Sequence, residues 1–459
     1  MTMAIGSESP GPVTVLRGHE GDVQCCDFVN DDVLATGDIH GICKLWSLEK
    51  RRAVVTQRLH DPLAGVLSLQ HLGACEAPRL ISSGRDGTVK IWDLERLSSG
   101  QGMKMEDPVM EFQTGVYSFC QPRSALIRKA CPPNVEDHLN EESRREPEAC
   151  SSSVCETILD ATQVVSHTSR PHLNATAPLV PHDNGILVLT AGTSAGGVNV
   201  WDMRTPVVRP CLSLCDASDT TSSSSSCKFG MCMALSYLSQ DGTVQDVTRL
   251  KVIAGYEDGS VAVWDVRRPH KNLEAVRGHT EPVMCLTVAP GSCLAASGAA
   301  DSKLCCWSLP TSVPTLTCST KSSLRAGAPC HGEDLRPVGV TTIGSCTRSA
   351  GAICKDDDST HLLSLVSGDL QLSQPGCNGL DFSPDGRMLA SAGWDGKVRL
   401  FKTPRQSEKS KKRNLLGVLE YHQSQVTAVR FRQLHEEYAL ISTSRDKCVA
   451  LWALQHENC

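Results

Sequence analysis

A turn followed by a β-rich run that closes on a large aromatic residue recurs seven times along this chain, and nothing else in the sequence restricts the fold so tightly. Six copies end on tryptophan: GICKLWSL at Trp46, DGTVKIWDL at Trp92, GGVNVWDM at Trp201, DGSVAVWDV at Trp264, DSKLCCWSL at Trp307 and DKCVALWAL at Trp452. The seventh, DGKVRLF, ends in the same frame on Phe401. Successive ends lie 46, 109, 63, 43, 94 and 51 residues apart, so three intervals are near a forty-residue period and three carry insertions. Such a period means one supersecondary unit copied along the chain, each copy unable to bury its apolar face without a neighbour.

Each unit reads as four strands, a to d. Strand b is an apolar run such as RLISSG, LKVIAG, CLAASG, MLASAG or ALISTS, followed by a tight turn with Asp-Gly, Asp-Ser or Asp-Lys and then strand c with its ring residue. Asp-Gly between two β-rich runs is a strong hairpin signal, because glycine accepts positive φ. Further upstream, VQCCDFV, VMCLTVA, CNGLDFS and VTAVRFR have the apolar density of a buried strand a. Helical periodicity is nearly absent. The expected fold is all-β, a seven-bladed β-propeller occupying residues 13–459 after a disordered segment 1–12. Residues 13–18, VTVLRG, follow no earlier blade, and the chain stops too soon after Trp452 to supply an outer strand there. The N-terminal strand is therefore expected to close the ring on the last blade and so remove a free sheet edge.

Polar residues recur with the rings. A histidine between strand d and the next strand a, a serine or threonine on strand b, an aspartate in the b–c turn and the tryptophan can form one hydrogen-bonded line. Three blades have all four: His60, Ser82, Asp86 and Trp92; His279, Ser297, Asp301 and Trp307; His422, Ser442, Asp446 and Trp452. Buried polar groups are costly unless satisfied, so a complete set should stiffen its blade. The set is incomplete elsewhere, and those blades are expected to be softer. Blade 1 has His19, Thr36 and Trp46 but His40 in the aspartate position, blade 3 has Ala195 there, blade 4 has Ala254 on strand b, and blade 6 has Phe401. A His-Ser-Asp group also suggests a hydrolase triad. Equal repetition on strands, with no nucleophile elbow around the serine, points instead to a structural role.

Insertions interrupt the repeat at about 125–184, 217–227, 310–360 and 402–413. The first holds NEESRREPE and few aromatics, reads as a disordered loop, and joins strands a and b of blade 3. Around the third, either PTLTCST or LLSLVSG could be the outer strand of blade 5, and the latter is favoured. The last, KTPRQSEKSKKRN, reads as a solvated loop, an import signal or a nucleic-acid contact.

Composition excludes more than it proposes. With 45 Lys and Arg against 51 Asp and Glu, the formal charge of −6 gives no general polyanion footprint, so a nucleic-acid partner is not expected. The 23 cysteines contain no CxxC, and Cys25-Cys26 and Cys305-Cys306 put adjacent thiols on opposite strand faces. They read as small apolar fillers; no metal site and no cofactor are expected. The start, MTMAIGSESPGPV, has neither the basic nor the apolar region of a signal peptide, and no run reaches the ~18 apolar residues of a membrane span. A soluble, intracellular, monomeric, non-enzymatic protein is expected.

On these motifs the chain resembles the WD40 family, and within it the G-protein-β-like proteins associated with the ASTRA complex. The likeness is sharpest at residues 250–266 (LKVIAGYEDGSVAVWDV), 281–288 (EPVMCLTV) and 389–401 (LASAGWDGKVRLF). The resemblance implies a non-catalytic co-chaperone adaptor in cytoplasm and nucleus. Its implied partners are subunits of the TTT co-chaperone, RuvB-like ATPases and the phosphatidylinositol 3-kinase-related kinases they mature. A second reading stays open. Trp201-Asp202-Met203-Arg204 and Trp264-Asp265-Val266-Arg267 both read WDxR, which resembles the motif of cullin-four ubiquitin-ligase substrate receptors and makes Arg204 and Arg267 candidate partner-binding residues.

Overall fold

The structure, a computed structural model, describes residues 11–73, 78–94, 107–127, 185–193, 196–204, 209–215, 229–238, 243–244, 247–291, 294–309, 363–403, 414–434 and 437–454. Its strands form seven antiparallel sheets, each with the spatial order a-b-c-d. Blade 1 is Val23–Phe28, Val33–Asp38, Ile42–Ser47 and Arg52–Arg58. Blade 2 is Ser68–Leu72, Arg79–Ser83, Thr88–Asp93 and Met110–Gln113, and blade 3 is Arg123–Ile127, Gly185–Ala191, Val198–Asp202 and Leu212–Leu214. Blade 4 follows with Cys232–Leu238, Lys251–Tyr256, Ser260–Asp265 and Glu274–Arg277, and blade 5 with Val283–Val288, Leu294–Ala299, Lys303–Ser308 and Ser364–Gln371. Blade 6 is Cys377–Phe382, Met388–Gly393, Lys397–Lys402 and Leu415–Glu420. Blade 7 is Val426–Leu434, Glu437–Ser444 and Cys448–Leu454, with the N-terminal strand Thr14–Arg17 as its outer member.

That last pairing closes the ring. Thr14 lies opposite Leu451 and Arg17 opposite Cys448, and the Val13 amide donates to the Leu451 carbonyl at 2.8 Å. The outer strand of blade 5 is the LLSLVSG run, as favoured, with Ser364 opposite Ser308 and Gln371 opposite Lys303. Two expected insertion limits move, because the strand ladders reach further. Strand a of blade 3 extends to Ile127, so residue 125 lies inside it, and strand c of blade 6 includes Lys402. Residues 128–184, 217–227, 310–360 and 404–413, together with residues 1–10 and Ala195, lie outside the described residues.

One pairing has no counterpart in the repeat. Thr243–Val244 pairs parallel to Leu126–Ile127 and gives blade 3 a fifth strand.

Seven apolar clusters hold the blades together, one at each seam, and each contains one of the seven rings. Trp92 packs with Ala35 and Leu45 of blade 1, Trp201 with Ile91 of blade 2, and Trp264 with Leu187 and Val200 of blade 3. Trp307 joins Val263 of blade 4, Phe401 joins Leu304 of blade 5, and Trp452 joins Leu400 of blade 6. The seventh cluster seats Trp46 and Leu16 with Ile441 and Val449, so the two ends of the chain share a core. Each ring is at most 3% exposed, and removing one would open a cavity costing about 3–5 kcal/mol. Paired cysteines serve two seams at once. Cys25 faces blade 2 while Cys26 faces blade 7, and Cys305 faces blade 4 while Cys306 faces blade 6.

Candidate functional site

Tryptophan Nε1 can only donate and a carboxylate can only accept, so the groups between them must accept at one end of the line and donate at the other. In blade 5, Trp307 Nε1 donates to Ser297 Oγ (2.8 Å), and the serine hydroxyl lies 2.8 Å from His279 Nε2. His279 Nδ1 lies 3.2 Å from each Asp301 oxygen. Burial pushes the His279 pKa down, which favours the neutral imidazole, and the Asp301 carboxylate beside Nδ1 places its proton there. Blade 7 repeats the line: Trp452 to Ser442 at 2.9 Å, Ser442 to His422 at 2.8 Å, and His422 to Asp446 at 2.9 Å.

Blade 2 departs from the expected line. Trp92 and His60 each meet Ser82 at 2.9 Å, but His60 Nδ1 is 3.9 Å from Asp86 and bonds Thr88 Oγ1 at 2.9 Å instead. Thr88 Oγ1 then donates to Asp86 at 2.5 Å, so threonine relays the contact. Burial pushes the His60 pKa down to about 4.

The incomplete blades are filled by other means. Blade 1 was expected to lack its carboxylate because His40 occupies the aspartate position; Asp38, two residues earlier, supplies it. His19 Nδ1 meets Asp38 at 2.9 Å, His19 Nε2 meets Thr36 Oγ1 at 2.7 Å, and Trp46 donates to Thr36 at 2.8 Å. In blade 4, with Ala254 on strand b, the buried Tyr256 hydroxyl accepts from Trp264 Nε1 at 2.8 Å. Blade 3 keeps the Trp201 to Thr190 bond at 2.9 Å.

Blade 6 replaces the motif outright. Arg399 of strand c forms a buried ion pair with Asp395, and its guanidinium also donates to Ser373 Oγ at 2.5 Å. With phenylalanine at 401 no indole reaches Ser391, whose buried hydroxyl has no hydrogen-bond partner among the described residues.

These serines are no nucleophiles. Ser82, Ser297 and Ser442 are fully buried and each already accepts a tryptophan N–H, so no carbonyl carbon can approach. The thiols are equally withdrawn: burial pushes Cys26, Cys43, Cys305 and Cys306 up to about 12. Among the described residues, no group of three or more His, Cys, Asp or Glu side chains is placed to hold a metal ion.

The a strands line the axis, where sequence reasoning singled out nothing. Asp27 accepts from the His71 amide (2.6 Å) and Asp381 from the Phe431 amide (2.7 Å), which ties adjacent blades. Arg123 donates to the carbonyls of Leu235 and Leu286 at 3.2 and 3.4 Å, and burial pushes its pKa down to about 10. The space here is about 30 Å³, room for a few waters.

Function therefore falls to the faces. Arg204 and Arg267 occupy matching places at the ends of adjacent c strands. Each guanidinium grips the aspartate two residues before it: Arg204 Nη2 to Asp202 at 2.6 Å, and Arg267 Nη2 to Asp265 at 2.5 Å. Both side chains remain half exposed, at 50% and 51%. The strands on either side show where the long connections attach. Residues 128–184 link strands a and b of blade 3, 310–362 link c and d of blade 5, and 404–413 link c and d of blade 6. All three begin and end on the face that carries Arg204 and Arg267, opposite the histidine corners.

The WD domain, G-beta repeat family matches residues 10–47, 56–93, 270–308, 368–402 and 413–453. The chain carries WD40 repeats. The first match joins the closing strand to blade 1, and blade 3 and the first three strands of blade 4, which lack the corner histidine, fall between matches. Guanine nucleotide-binding protein subunit beta-like protein 1 of Mus musculus is 23% identical over 451 residues, covering 97% of this chain and 96% of the relative. ASTRA-associated protein 1 of Pyricularia oryzae is 24% identical, over 92% of this chain and 85% of that one. Among solved structures, the computationally designed Ika8 protein aligns over 97% of this chain and all of its own, with a TM-score of 0.50 and 17% identity, a likeness of fold. WD40 propellers are generally non-catalytic interaction scaffolds, and this chain is a WD-repeat scaffold.

Proposed function

We propose that this ring is a co-chaperone adaptor, bringing TTT subunits and RuvB-like ATPases to phosphatidylinositol 3-kinase-related kinases during their maturation. The observation that carries the reading is coverage: relatives named for ASTRA association align over nearly the whole chain and so include every blade. The closed triad-like lines support a binding role over catalysis, since each is consumed inside its blade. The adaptor acts as a monomer and works in both cytoplasm and nucleus; imaging of the tagged chain at its native expression level tests the second point. Affinity purification of the tagged full-length chain from cells, read by mass spectrometry, tests the function. Recovery of TTT subunits, RuvB-like ATPases and a giant kinase supports it; their absence alongside other stable partners refutes it.

The matched posture of Arg204 and Arg267 favours a second reading, a cullin-four substrate receptor. Arg204→Ala with Arg267→Ala decides between them. Loss of the damage-binding adaptor from the purification would favour the ligase. Undiminished TTT and kinase recovery, with no adaptor bound to wild type, would favour the co-chaperone.

A further inference from the structure

On the histidine face, blades 2 and 3 expose apolar side chains that no part of the described ring covers. Leu63 is 95% exposed, Tyr117 82% and Phe119 61%. Single exposed apolar residues need no explanation, but these are joined. Leu63 sits in the corner that follows His60, whose Ala64 carbonyl accepts the Arg85 amide at 3.3 Å. The Arg85 guanidinium in turn lies 5.3 Å from the Phe119 ring centre.

The aromatic corner is built rather than loose. Thr114 Oγ1 donates to the Gly87 carbonyl (3.0 Å) at its start, and Cys120 is buried at its end, with its amide donating to Ser118 Oγ at 3.2 Å. Gly115 turns the chain at φ 72°, and a Cβ there would meet only Thr193 at 3.6 Å. Beyond it exposure alternates, with Val116 and Ser118 half-buried and Tyr117 and Phe119 exposed.

Charge selects the occupant. Arg85 has no carboxylate partner among the described residues, and the nearby acids are engaged. Asp86 accepts from Thr88, and Asp61 from the Leu63 amide at 2.8 Å. A guanidinium stacked on an aromatic ring and lacking an anion is a ready bidentate carboxylate site.

We propose that Leu63, Arg85, Tyr117 and Phe119 form a docking surface for a segment of another protein that presents an acidic residue flanked by apolar side chains. The apolar groups cover Leu63 and the two rings while the carboxylate pairs with Arg85, and desolvation by the rings strengthens that pair. The proposal rests on the scaffold reading but not on which complex the scaffold serves.

The test is selection of a phage-displayed random dodecapeptide library on the purified full-length chain, followed by titration of the enriched peptides. Enriched peptides should share an Asp or Glu between apolar residues. Tyr117→Ser with Phe119→Ser should weaken their binding at least about tenfold, as expected for central aromatic anchors. Arg85→Glu should also weaken it, and replacing the peptide's acid with Lys should restore binding to that variant. Leu415→Ser with Leu416→Ser, on the outer strand of blade 6, should change nothing. Failure to enrich any peptide, a basic consensus, or binding indifferent to Arg85 and the two rings overturns the proposal. So does a concentration-dependent dimer abolished by the same substitutions, which would make a second copy the occupant. Failure here with TTT subunits still recovered from cells would sink the docking surface and leave the co-chaperone function standing.

Discussion

Blades 5 and 6 are neighbours with the same four strands, yet their interiors are held by different chemistry. Blade 5 runs a line of neutral groups from Trp307 through Ser297 and His279 to the Asp301 carboxylate. Blade 6 has a phenylalanine for the tryptophan, a serine hydroxyl with no partner among the described residues, and a buried arginine–aspartate pair reaching the same b–c turn from strand c. Both aspartates also cap that turn, Asp301 accepting from the Lys303 amide at 2.9 Å and Asp395 from the Lys397 amide at 3.2 Å. In both blades a carboxylate in the turn is met by a side-chain donor. Which side chain donates is open to substitution.

The widest separation between the two blades should come from removing the carboxylate. Asp395→Ala leaves the Arg399 charge buried and unpaired and should cost about 3–5 kcal/mol, whereas Asp301→Ala leaves a neutral imidazole N–H unsatisfied, at about 1–3 kcal/mol. Denaturation midpoints of the two variants check the order, and equal losses would show that the blades are held alike. The serines should rank the other way. Ser297→Ala strips an acceptor from Trp307 and a donor from His279 and should cost about 1–3 kcal/mol, while Ser391→Ala removes an orphaned hydroxyl and should fall within about 0.5 kcal/mol of wild type.

Acid gives the subtlest contrast. The His60 and His279 pKa values are lowered in the fold by burial, so the unfolded chain takes up these protons first. Their contribution is complete above the ordinary histidine value near 6.5 and is lost as pH falls below it, toward about 4 for His60. In Asp395, burial would raise the pKa, but Arg399 outweighs it and the value falls below the carboxylate norm, so blade 6 loses support only in more acidic solution. Hydrogen exchange followed blade by blade at pH 7 and pH 5 should show blades 2 and 5 loosening while blade 6 holds.

The architecture was legible because its determinants are local and repeated. The seven ring residues, the Asp-Gly turns and the unclaimed strand at residues 13–18 each carry their signal within a few positions. The polar lines were only partly legible, because hydrogen bonding depends on where an atom ends up. Asp38 belongs to strand b, yet its carboxylate also accepts from the Ile42 amide (3.0 Å), the place that Asp86 serves for Thr88 in blade 2 (2.9 Å). Tyr256 stands two residues beyond the alanine that seemed to break blade 4, and its length carries the hydroxyl back to Trp264. Arg399 looked like an ordinary strand residue and is 4% exposed. The short parallel strand at Thr243–Val244 had no periodic signal, and Tyr117 and Phe119 lie in a corner outside every repeated position.

The central claim is that a strand from one end of the chain completes the sheet formed by the other. Amide hydrogen exchange of residues 14–17 against residues 448–454, on the intact protein, measures it directly. Protection of the two segments to a similar degree, lost together on unfolding, is what closure requires; exchange of residues 14–17 within seconds while residues 448–454 stay protected would contradict it.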